Sequence, residues 1–380
     1  MSDPSQLPLY DVVIAGAGPA GAMAALVLAR AGRRVIVLEK MRWPREKVCG
    51  DCINPSAWEI WRRHGLEEEF GALPHHLSAG VCLESAGREL FRHDFAPGPH
   101  FGPRAVRRSD LDEWVMGRAI AAGAEFHTEI SVTAVDTTTG VITTTQGDYH
   151  GRMILGADGR NSTIARMAGL TSSRPGRCGR LAWQTTLDAS AVDGHVHMNL
   201  FPDGYYGLVR INEKSANMCI VMSRHSKATP QSVLSRYIPN TRPCTWRSVT
   251  PITRAPSTLG RGRVWLAGDA ARMVEPFTGE GIYFALASGE AAADAILHTL
   301  NGLDATPVRA DACLRKGLAT YQSSHAALYG KRVWVNQFVH WCALRPALAM
   351  RAVRVLSAIP GALGTLVRWV HPAPPPHAAS

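Results

Sequence analysis

The sequence predicts an α/β fold in which a parallel-sheet domain is interrupted by an antiparallel sheet and followed by a helical tail. Three observations support this prediction. A strand, a glycine turn, a helix and a second strand follow one another within residues 10–38, which is the size of one βαβ unit. Short β-like runs separated by turn residues occupy residues 195–223. After Asp311 the chain has the patterning of helices.

The composition is typical of a globular protein in a reducing compartment. The chain has 380 residues, of which 46% are hydrophobic and 19% charged, and this length suggests two or three domains. Its eight cysteines occur without a secretory leader, and no apolar run reaches the roughly 18 residues of a transmembrane helix. We therefore expect a cytoplasmic protein.

The net charge of +10 is concentrated at the C-terminal end. No acidic residue follows Asp311, whereas eight lysines and arginines do, so the first 311 residues carry a net charge of only +2. A nearly neutral body with a basic tail does not have the charge distribution of a nucleic-acid-binding protein. We expect no nucleic-acid partner.

The first glycine turn predicts a Rossmann-like nucleotide site. Gly16 permits the tight turn after the first strand, Gly18 lets the backbone approach a pyrophosphate, and Gly21 allows close helix–strand packing. Glu39 ends the second strand, where a carboxylate binds both hydroxyls of an adenosine ribose. Lys40 directly follows and is included among the expected nucleotide ligands. This arrangement favours FAD or NAD as the cofactor.

The remaining elements divide the chain into four regions. A loop over 40–54 precedes a helix opened by Asn54 and Pro55, a second helix covers 108–122, and β-like pieces follow to 157. Later, a buried strand at 264–267 leads into a helix over 281–300. The predicted regions are a discontinuous nucleotide-binding domain (1–75, 105–178 and 261–310), an inserted substrate-binding sheet domain (76–104 and 179–260), a helical region (311–370) and a disordered tail (371–380).

A second glycine cluster, over residues 262–281, selects between the two cofactors. Its Gly268-Asp269 pair, followed by Pro276, Gly279 and Gly281, resembles the flavin motif of the FAD-dependent family that contains aromatic hydroxylases, geranylgeranyl reductases and flavin-dependent halogenases. The resemblance implies that Asp269 binds the ribityl hydroxyls of FAD. It also implies that the helix start near Gly279 and Gly281 faces the pyrimidine edge of the flavin, where its dipole stabilises negative charge.

Two further segments are similar to motifs of the same family. Residues 154–166, with Asp158 followed by Gly159, look like the Asp-Gly motif that lies near the FAD pyrophosphate. Arg108 matches the helix-opening arginine that contacts the FAD phosphates. Together the motifs span residues 12–290 in the family's order. The family implies a Rossmann-like FAD-binding domain and a substrate domain built on an antiparallel sheet.

The segment over residues 43–52 is similar to the Lys-x-Cys-Gly segment of the geranylgeranyl-reductase-related branch, which passes beside the flavin ring. The resemblance gives this segment the candidate catalytic residues. Gly50 would contact the ring through its backbone, Arg45 could offset negative charge on reduced FAD, and Cys49 or Asp51 could donate a proton. Cys49 and Cys52 also form a CxxC pair, which leaves a redox disulfide open, whereas a zinc site would need two more ligands.

The substrate sheet departs from the best-known branches of the family. Residues 204–211 contain neither the tryptophan nor the proline of the usual sheet motif, and no lysine is placed for halogenation. Tyr205, Tyr206 and Arg210 could bind a substrate, or they could alternate between core and solvent. The histidine pairs 75–76 and 195–197 lack further ligands at suitable spacing, so the sequence predicts no metal site.

The basic tail has two interpretations. Apolar residues recur there near helical spacing with arginines between them, and Trp341 and Trp369 are included. The tail either packs on the FAD-binding domain or rests as an amphipathic segment on an anionic membrane. The second interpretation would place the protein at the inner face of the membrane and let a greasy substrate enter from the bilayer.

The sequence therefore predicts an FAD-dependent oxidoreductase acting on a hydrophobic small molecule. Because only one dinucleotide fold is visible, NAD(P)H would visit transiently, or a protein partner or separate flavin reductase would deliver electrons. Loss of the sheet motif favours a monooxygenase acting on a hydrophobic or aromatic metabolite. The alternatives are a reductase saturating double bonds of an isoprenoid or polyketide-like substrate, and an electron-relay or maturation partner of another protein. Halogenation is disfavoured.

Overall fold

A computed structural model describes residues 3–365, apart from 96–101, 172–178, 250–254, 275, 305, 331, 333–344, 358, 360 and 363. The predicted disordered tail at 371–380 lies outside the described residues, as do Trp341 and Trp369.

The nucleotide-binding half is built on an eight-stranded sheet whose central strands are parallel. Its order is β17-β18-β11-β1-β2-β8, and an antiparallel pair, β9 and β10, extends it from β11. Strands are numbered along the chain, and those of this sheet are β1 Leu9–Ala15, β2 Val35–Leu38, β8 Glu125–His127, β9 Val132–Val135, β10 Val141–Thr144, β11 Gly147–Gly156, β17 Gly260–Arg261 and β18 Val264–Leu266. The central strand β1 is apolar on both faces, and both faces are buried in apolar clusters on the two sides of the sheet.

Helices pack on this sheet and on the antiparallel sheet, and they form the C-terminal region. They are α1 Pro19–Arg30, α2 Ala57–Arg63, α3 Glu67–Ala72, α4 Arg108–Ala121, α5 Thr163–Met167, α6 Pro230–Tyr237, α7 Gly281–Leu300, α8 Pro307–Tyr329 and α9 Pro346–Ser357. Helices α1 and α7 pack so closely that a Cβ atom at Gly289 would overlap the carbonyl oxygen of Ala20. None of the helices in the described ranges is both long enough and apolar enough to cross a bilayer.

The second half is a seven-stranded sheet of order β16-β12-β15-β14-β13-β5-β6, antiparallel except for the parallel pair β13 and β5. Its strands are β5 Gly80–Ser85, β6 Arg88–Asp94, β12 Arg180–Asp188, β13 His195–Phe201, β14 Gly204–Arg210, β15 Ser215–Ser223 and β16 Arg247–Val249. One face packs beneath α6, and the opposite face carries a smaller apolar cluster around Tyr205 and Val221. A small third sheet consists of β3 Cys52–Ile53, β4 His76–Leu77 and β7 Arg104–Ala105. Its strands β4 and β7 come from the segments where the chain passes from one half to the other.

The predicted fold class is confirmed: a Rossmann-like α/β domain, an antiparallel sheet and a helical C-terminal region are all present. Two element starts differ from the predictions. Helix α1 begins at Pro19 rather than residue 22, because proline is well suited to the first helical turn. Helix α2 begins at Ala57 rather than at Asn54 and Pro55, where Asn54 instead accepts a hydrogen bond from the Ser56 backbone N–H.

Candidate FAD and substrate site

The first glycine turn is as tight as the sequence requires. Gly16 has φ +103°, and a Cβ there would lie 2.6 Å from the carbonyl oxygen of Ala157. A Cβ at Gly21 would overlap the carbonyl oxygen of Gly16, so the helix can approach the strand only with glycine at this position. Gly18 caps α1, and it lines an open cavity together with Pro19.

Glu39 lies buried beside this turn, at the end of β2. Its carboxylate accepts hydrogen bonds from the backbone N–H groups of Ala17 and Met41, each at 3.0 Å. These bonds fix the carboxylate at the end of β2. Glu39 itself does not line the cavity, so its binding of a ribose stays a prediction. Lys40 is exposed and does not line the cavity.

Arg45 lies at this nucleotide end rather than at the sheet end of the cavity. Its Nε is 3.3 Å from Glu39 and its Nη2 is 3.4 Å from Asp112. The guanidinium also lies over the ring of Trp43, and it is the nearest group to a Cβ placed at Gly18. The structure therefore does not place Arg45 beside the expected flavin ring, because two carboxylates hold it at the glycine turn.

A cationic cluster faces the cavity between the two glycine motifs. Arg108, the first residue of α4, is buried and binds Asp112 through two 3.0 Å contacts. Lys47 and Arg160 line the same cavity. Burial, together with the neighbouring Arg108, lowers the pKa of Lys47 to about 8. Asp112 binds Arg108, and Asp269 lies close enough to Lys47 to oppose the lowering of its pKa, so three cations meet two carboxylates here. A cation-rich site of this kind suits an anionic diphosphate.

The second glycine motif closes the other side of the cavity. Gly268 follows β18 with φ +59°, and a Cβ there would lie 2.9 Å from the Cβ of Ala20. Asp269 lines the cavity, as do Pro276, Gly279 and Gly281 at the start of α7. The structure thus brings the Gly-Asp motif and the first glycine turn to one cavity, as the resemblance implied.

Asp158 has a different position from the one expected. Its carboxylate accepts hydrogen bonds from the Ser162 hydroxyl at 2.6 Å and from the backbone N–H groups of Thr163 and Ile164. The carboxylate is therefore satisfied by the first turn of α5. Its neighbours Ala157 and Gly159 line the cavity, whereas Asp158 does not, so it shapes the loop rather than facing a cofactor.

Residues 49–52 connect the cofactor end of the cavity to the antiparallel sheet. The Cys49 carbonyl accepts hydrogen bonds from Asn217 Nδ2 at 2.8 Å and from the Cys219 thiol at 2.9 Å. The Cys49 N–H donates to Gln184 Oε1 at 3.2 Å. Cys49 and Gly50 line the cavity, and a Cβ at Gly50 would meet nothing within 4 Å. The segment therefore presents an open backbone face to a planar ligand.

Asp51 lies immediately behind this wall and is buried. It has φ +53°, and its carboxylate accepts hydrogen bonds from the Arg108 backbone N–H at 3.2 Å and from Gln184 Nε2 at 3.3 Å. Burial raises the pKa of Asp51 to about 7, although the positive charge of Arg108 opposes the shift. This carboxyl can gain or lose a proton near neutral pH.

The sheet side of the cavity is apolar. Its wall includes Val81, Val196, Met198, Tyr205, Val249 and Phe277. The rings of Tyr205 and Phe277 meet edge to face at 5.0 Å between centroids. Such a wall binds apolar groups and excludes water.

Of the three residues expected to bind substrate, only Tyr205 lines this cavity. Tyr206 points to the opposite face, where its hydroxyl accepts a hydrogen bond from Asn199 Nδ2 at 3.0 Å. Arg210 is on that face too, and it donates to the carbonyls of Ala189 and Val192. Because side chains alternate along a strand, Tyr205 and Tyr206 cannot both face one cavity.

Sequence reasoning missed four residues at the site: Lys47, Gln184, Asn217 and Cys219. Lys47 lies within the Lys-x-Cys-Gly segment, and its positive charge was a signal that could have identified it. The other three are polar or thiol residues on strands β12 and β15, where only the strand register shows that they meet the 49–52 segment.

A tight glycine turn beside a buried carboxylate, a cationic cluster and a second glycine loop meet at one cavity, which is the arrangement of an FAD-binding protein. Together with the family match, this places the protein in the class of FAD-dependent oxidoreductases. Residues 9–319 match the family described as "FAD binding domain", and the chain belongs to this family.

Three relatives extend the comparison. The chain is 30% identical over 361 residues to conditioned medium factor receptor 1 of Dictyostelium discoideum, covering 85% of this chain and 68% of that protein. It is 30% identical over 322 residues to a menaquinone reductase of Mycobacterium tuberculosis (75% and 76% covered). It is 28% identical over 339 residues to a digeranylgeranylglycerophospholipid reductase of Methanosphaerula palustris (82% and 80% covered).

Solved structures share the fold at lower identity. The flavin-dependent brominase Bmp2 matches with a TM-score of 0.75 and 19% identity, covering 96% of this chain and 94% of that one. PqsL of P. aeruginosa, in complex with 2-aminobenzoylacetate, matches with a TM-score of 0.70 and 19% identity, covering 89% and 97%.

Proposed function

We propose that this protein is an FAD-dependent reductase that saturates a carbon–carbon double bond in a long apolar substrate of the isoprenoid class. Relatives named as menaquinone and digeranylgeranylglycerophospholipid reductases align over three quarters or more of the chain, which supports this reaction class. The observation that carries the proposal is the apolar cavity that ends on Cys49 and Gly50, with the buried carboxyl of Asp51 behind them.

Reduction of an alkene needs a hydride and a proton. Reduced FAD, when bound, supplies the hydride, with NAD(P)H or a separate flavin reductase as the electron source. The chain supplies the proton. Cys49 lines the cavity, and its Sγ accepts a hydrogen bond from the Asp51 backbone N–H at 3.4 Å, so we assign its thiol as the proton donor. Asp51, two residues further along the same segment, holds a proton near neutral pH and reloads the thiol.

The apolar wall binds and orients the substrate chain. Val81, Val196 and Met198 lie on the adjacent strands β5 and β13, and Tyr205 lies on the next strand, β14, on the same face. Phe277 packs edge to face on Tyr205 and extends this wall. This wall has few polar groups to pair with a substrate, so recognition depends on buried apolar area.

We further propose that the substrate reaches the cavity from a membrane surface to which α9 binds. Leu348, Val355 and Ile359 recur at helical spacing along and just beyond α9, and they are 38%, 63% and 52% exposed. Arg351 is exposed on the same helix, and no acidic residue follows Asp311. Exposed apolar side chains beside arginines suit an interfacial helix on anionic lipid.

Oxygenation of a hydrophobic or aromatic metabolite is the second candidate. The apolar wall that favours an alkene would equally exclude water during oxygen transfer. An electron-relay role is the third. The oxygenase and the electron relay differ from the reductase in the product that is expected when the isolated chain is given substrate.

The test is product analysis with the FAD-loaded chain. Under anaerobic conditions, with NADPH or dithionite as reductant, we expect the isoprenoid chain of a geranylgeranyl lipid or of a menaquinone in detergent to gain two hydrogens. The menaquinone is reoxidised in air before analysis, so that reduction of its quinone ring is not counted. Cys49→Ser should abolish this product, whereas Cys244→Ser, which alters an exposed cysteine, should not. Incorporation of label from ¹⁸O₂ in air, without anaerobic saturation, would establish oxygenation instead. No product from any substrate, together with electron transfer to an added protein, would establish the relay.

A further inference from the structure

Three possible metal ligands meet on the face of the antiparallel sheet that is turned away from the cavity. Sγ of Cys82, a carboxylate oxygen of Glu84 and a ring nitrogen of His197 all lie within 4.8 Å of one another. Glu84 Oε1 is 2.8 Å from His197 Nδ1 and 3.7 Å from Cys82 Sγ. Ligand atoms around a tetrahedral zinc ion are separated by roughly 3.3–3.7 Å, so small side-chain movements suffice to enclose an ion.

The sheet register brings these residues together. Strands β5 and β13 are parallel neighbours, with Cys82 opposite His197 and Glu84 opposite Asn199. Cys82 and Glu84 are two residues apart on β5 and therefore share a face. The alternate residues Val81, Val196 and Met198 point the other way and line the cavity, so the cluster lies behind the cavity wall and separate from the FAD site.

Neighbouring side chains orient two of the three ligands. Asp193 Oδ1 lies 2.8 Å from His197 Nε2, which directs Nδ1 towards Glu84. The fully buried Asn199 donates from Nδ2 to Glu84 Oε2 at 3.0 Å, leaving Oε1 for the cluster. Metal-binding imidazoles almost always have a carboxylate or carbonyl at their second nitrogen, and metal-binding carboxylates are also hydrogen-bonded.

The charges balance for a divalent ion. A thiolate, a carboxylate and a neutral imidazole together carry −2, which one Zn²⁺ neutralises. Glu89 and Asp193, also nearby, are paired with Arg92 at 3.0 and 3.1 Å. Glu89 Oε2 and Arg92 Nη2 lie 3.6 and 3.9 Å from Cys82 Sγ, so this acid and this cation offset each other beside the thiol. A mixed sulfur, nitrogen and oxygen set favours zinc over the hard cations magnesium and calcium, which prefer oxygen alone.

We propose that Cys82, Glu84 and His197 form a Zn²⁺ site with solvent in the fourth position. The ion joins β5 to β13 at the level where Val81, Val196 and Met198 form the cavity wall. With three protein ligands and solvent in the fourth position the site is an open one, and the ion would fix the spacing of the two strands that carry the substrate wall.

The experiment uses the full-length, tag-free, FAD-loaded protein, treated with a chelator, dialysed, and then titrated with ZnCl₂. We expect one zinc per chain by elemental analysis and a higher midpoint of thermal unfolding with zinc. Cys82→Ser, Glu84→Gln and His197→Gln should each lose the bound zinc while FAD absorbance is kept, which shows that the variants fold. Asp193→Asn removes the carboxylate charge beside His197 Nε2, together with its ion pair to Arg92, and should weaken zinc binding about 10- to 100-fold.

Two controls separate this site from adventitious binding. Cys244→Ser and His225→Gln alter exposed residues elsewhere and should leave the zinc content at one. The thiols of Cys49 and Cys52 are the competing ligands. Loss of zinc in the Cys49→Ser/Cys52→Ser variant but not in Cys82→Ser would overturn the proposal. A wild-type protein that retains no zinc when it is dialysed again after the ZnCl₂ titration would also overturn it.

Discussion

The Nε2 atom of Gln184 lies 3.3 Å from the Oδ2 atom of Asp51, so a residue of the antiparallel sheet holds the ionisable group of the cofactor segment. The same glutamine accepts a hydrogen bond from the Cys49 N–H and donates to Asn217 at 3.0 Å. The two halves of the protein are thus joined at the point where we place the chemistry. A change in the sheet at this point would alter proton transfer without touching FAD.

Asp51 should make stability fall as pH rises. Its pKa is about 7 in the folded protein against 3.8 ordinarily, so the folded state holds the extra proton between these values and loses that advantage as pH increases. The contribution of this group is at most about 1.4 kcal/mol per pH unit. Asp51→Asn should remove it. Chemical unfolding of both proteins at pH 5 and pH 8 measures the difference, and an equal pH response in both would contradict the buried carboxyl.

Lys47 should bind the diphosphate of FAD, and its charge should make that binding depend on pH. Its pKa of about 8 means that the FAD-free protein loses this positive charge above pH 8, so FAD affinity should fall there. Lys47→Met should weaken FAD about 10-fold at pH 7, which corresponds to about 1.4 kcal/mol, and flatten the decline above pH 8. Fluorescence titration of FAD measures both. Lys214→Met, at an exposed position, is the control, and equal affinities in the two variants would argue against the assignment.

The adjacent tyrosines of β14 form a matched pair. Tyr205→Ala removes a ring from the cavity wall and should raise the KM for an apolar substrate several-fold without changing FAD content. Tyr206→Phe removes only a hydroxyl that pairs with Asn199 on the other face, so it should cost about 1 kcal/mol of stability and leave KM unchanged. Steady-state kinetics and chemical unfolding on both variants test this, and a KM effect confined to Tyr206→Phe would reverse the assignment of faces.

The α9 helix should bind anionic vesicles through its exposed apolar side chains. Val355→Asp combined with Ile359→Asp should reduce co-sedimentation with phosphatidylglycerol vesicles at least 10-fold, because it places two negative charges on the apolar surface. Val308→Asp, on the exposed start of α8, is the control for a general effect of charge. Binding that survives the double substitution would place the membrane contact elsewhere. No binding by the wild-type protein would exclude the contact.

The glycine turns of the cofactor half could be predicted from the sequence, because they depend on local backbone geometry, whereas Lys40, Arg45 and Asp158 lie outside the cavity lining. Gly16, Gly21 and Gly268 have neighbours that leave no room for a side chain, and the sequence spacing already required this. The substrate half was predicted poorly. Whether Tyr205 or Tyr206 faces the cavity depends on which residues of neighbouring strands they oppose.

Long-range strand pairing also explains the other omissions. Gln184 and Cys219 are register partners 35 positions apart, and Cys82 and His197 are 115 positions apart. Hydrophobic periodicity gives the face of a strand but not its partner, so polar residues that meet across a sheet leave no local signal. For the same reason, the spacing of His195 and His197 along the chain could not reveal Cys82 and Glu84 as neighbours.

The contact between Gly289 and Ala20 has a consequence for biosynthesis. Helix α1 leaves the ribosome long before the helix that covers it, which is completed only at Leu300. The central strand β1 likewise waits for β11, more than 130 residues later, for one of its two neighbours. We expect nascent chains halted near residue 260 to remain protease-sensitive throughout their N-terminal third, in contrast to released chains. The cofactor pocket is therefore a late product of translation, and the emerging chain must be kept from aggregating until most of it has been made.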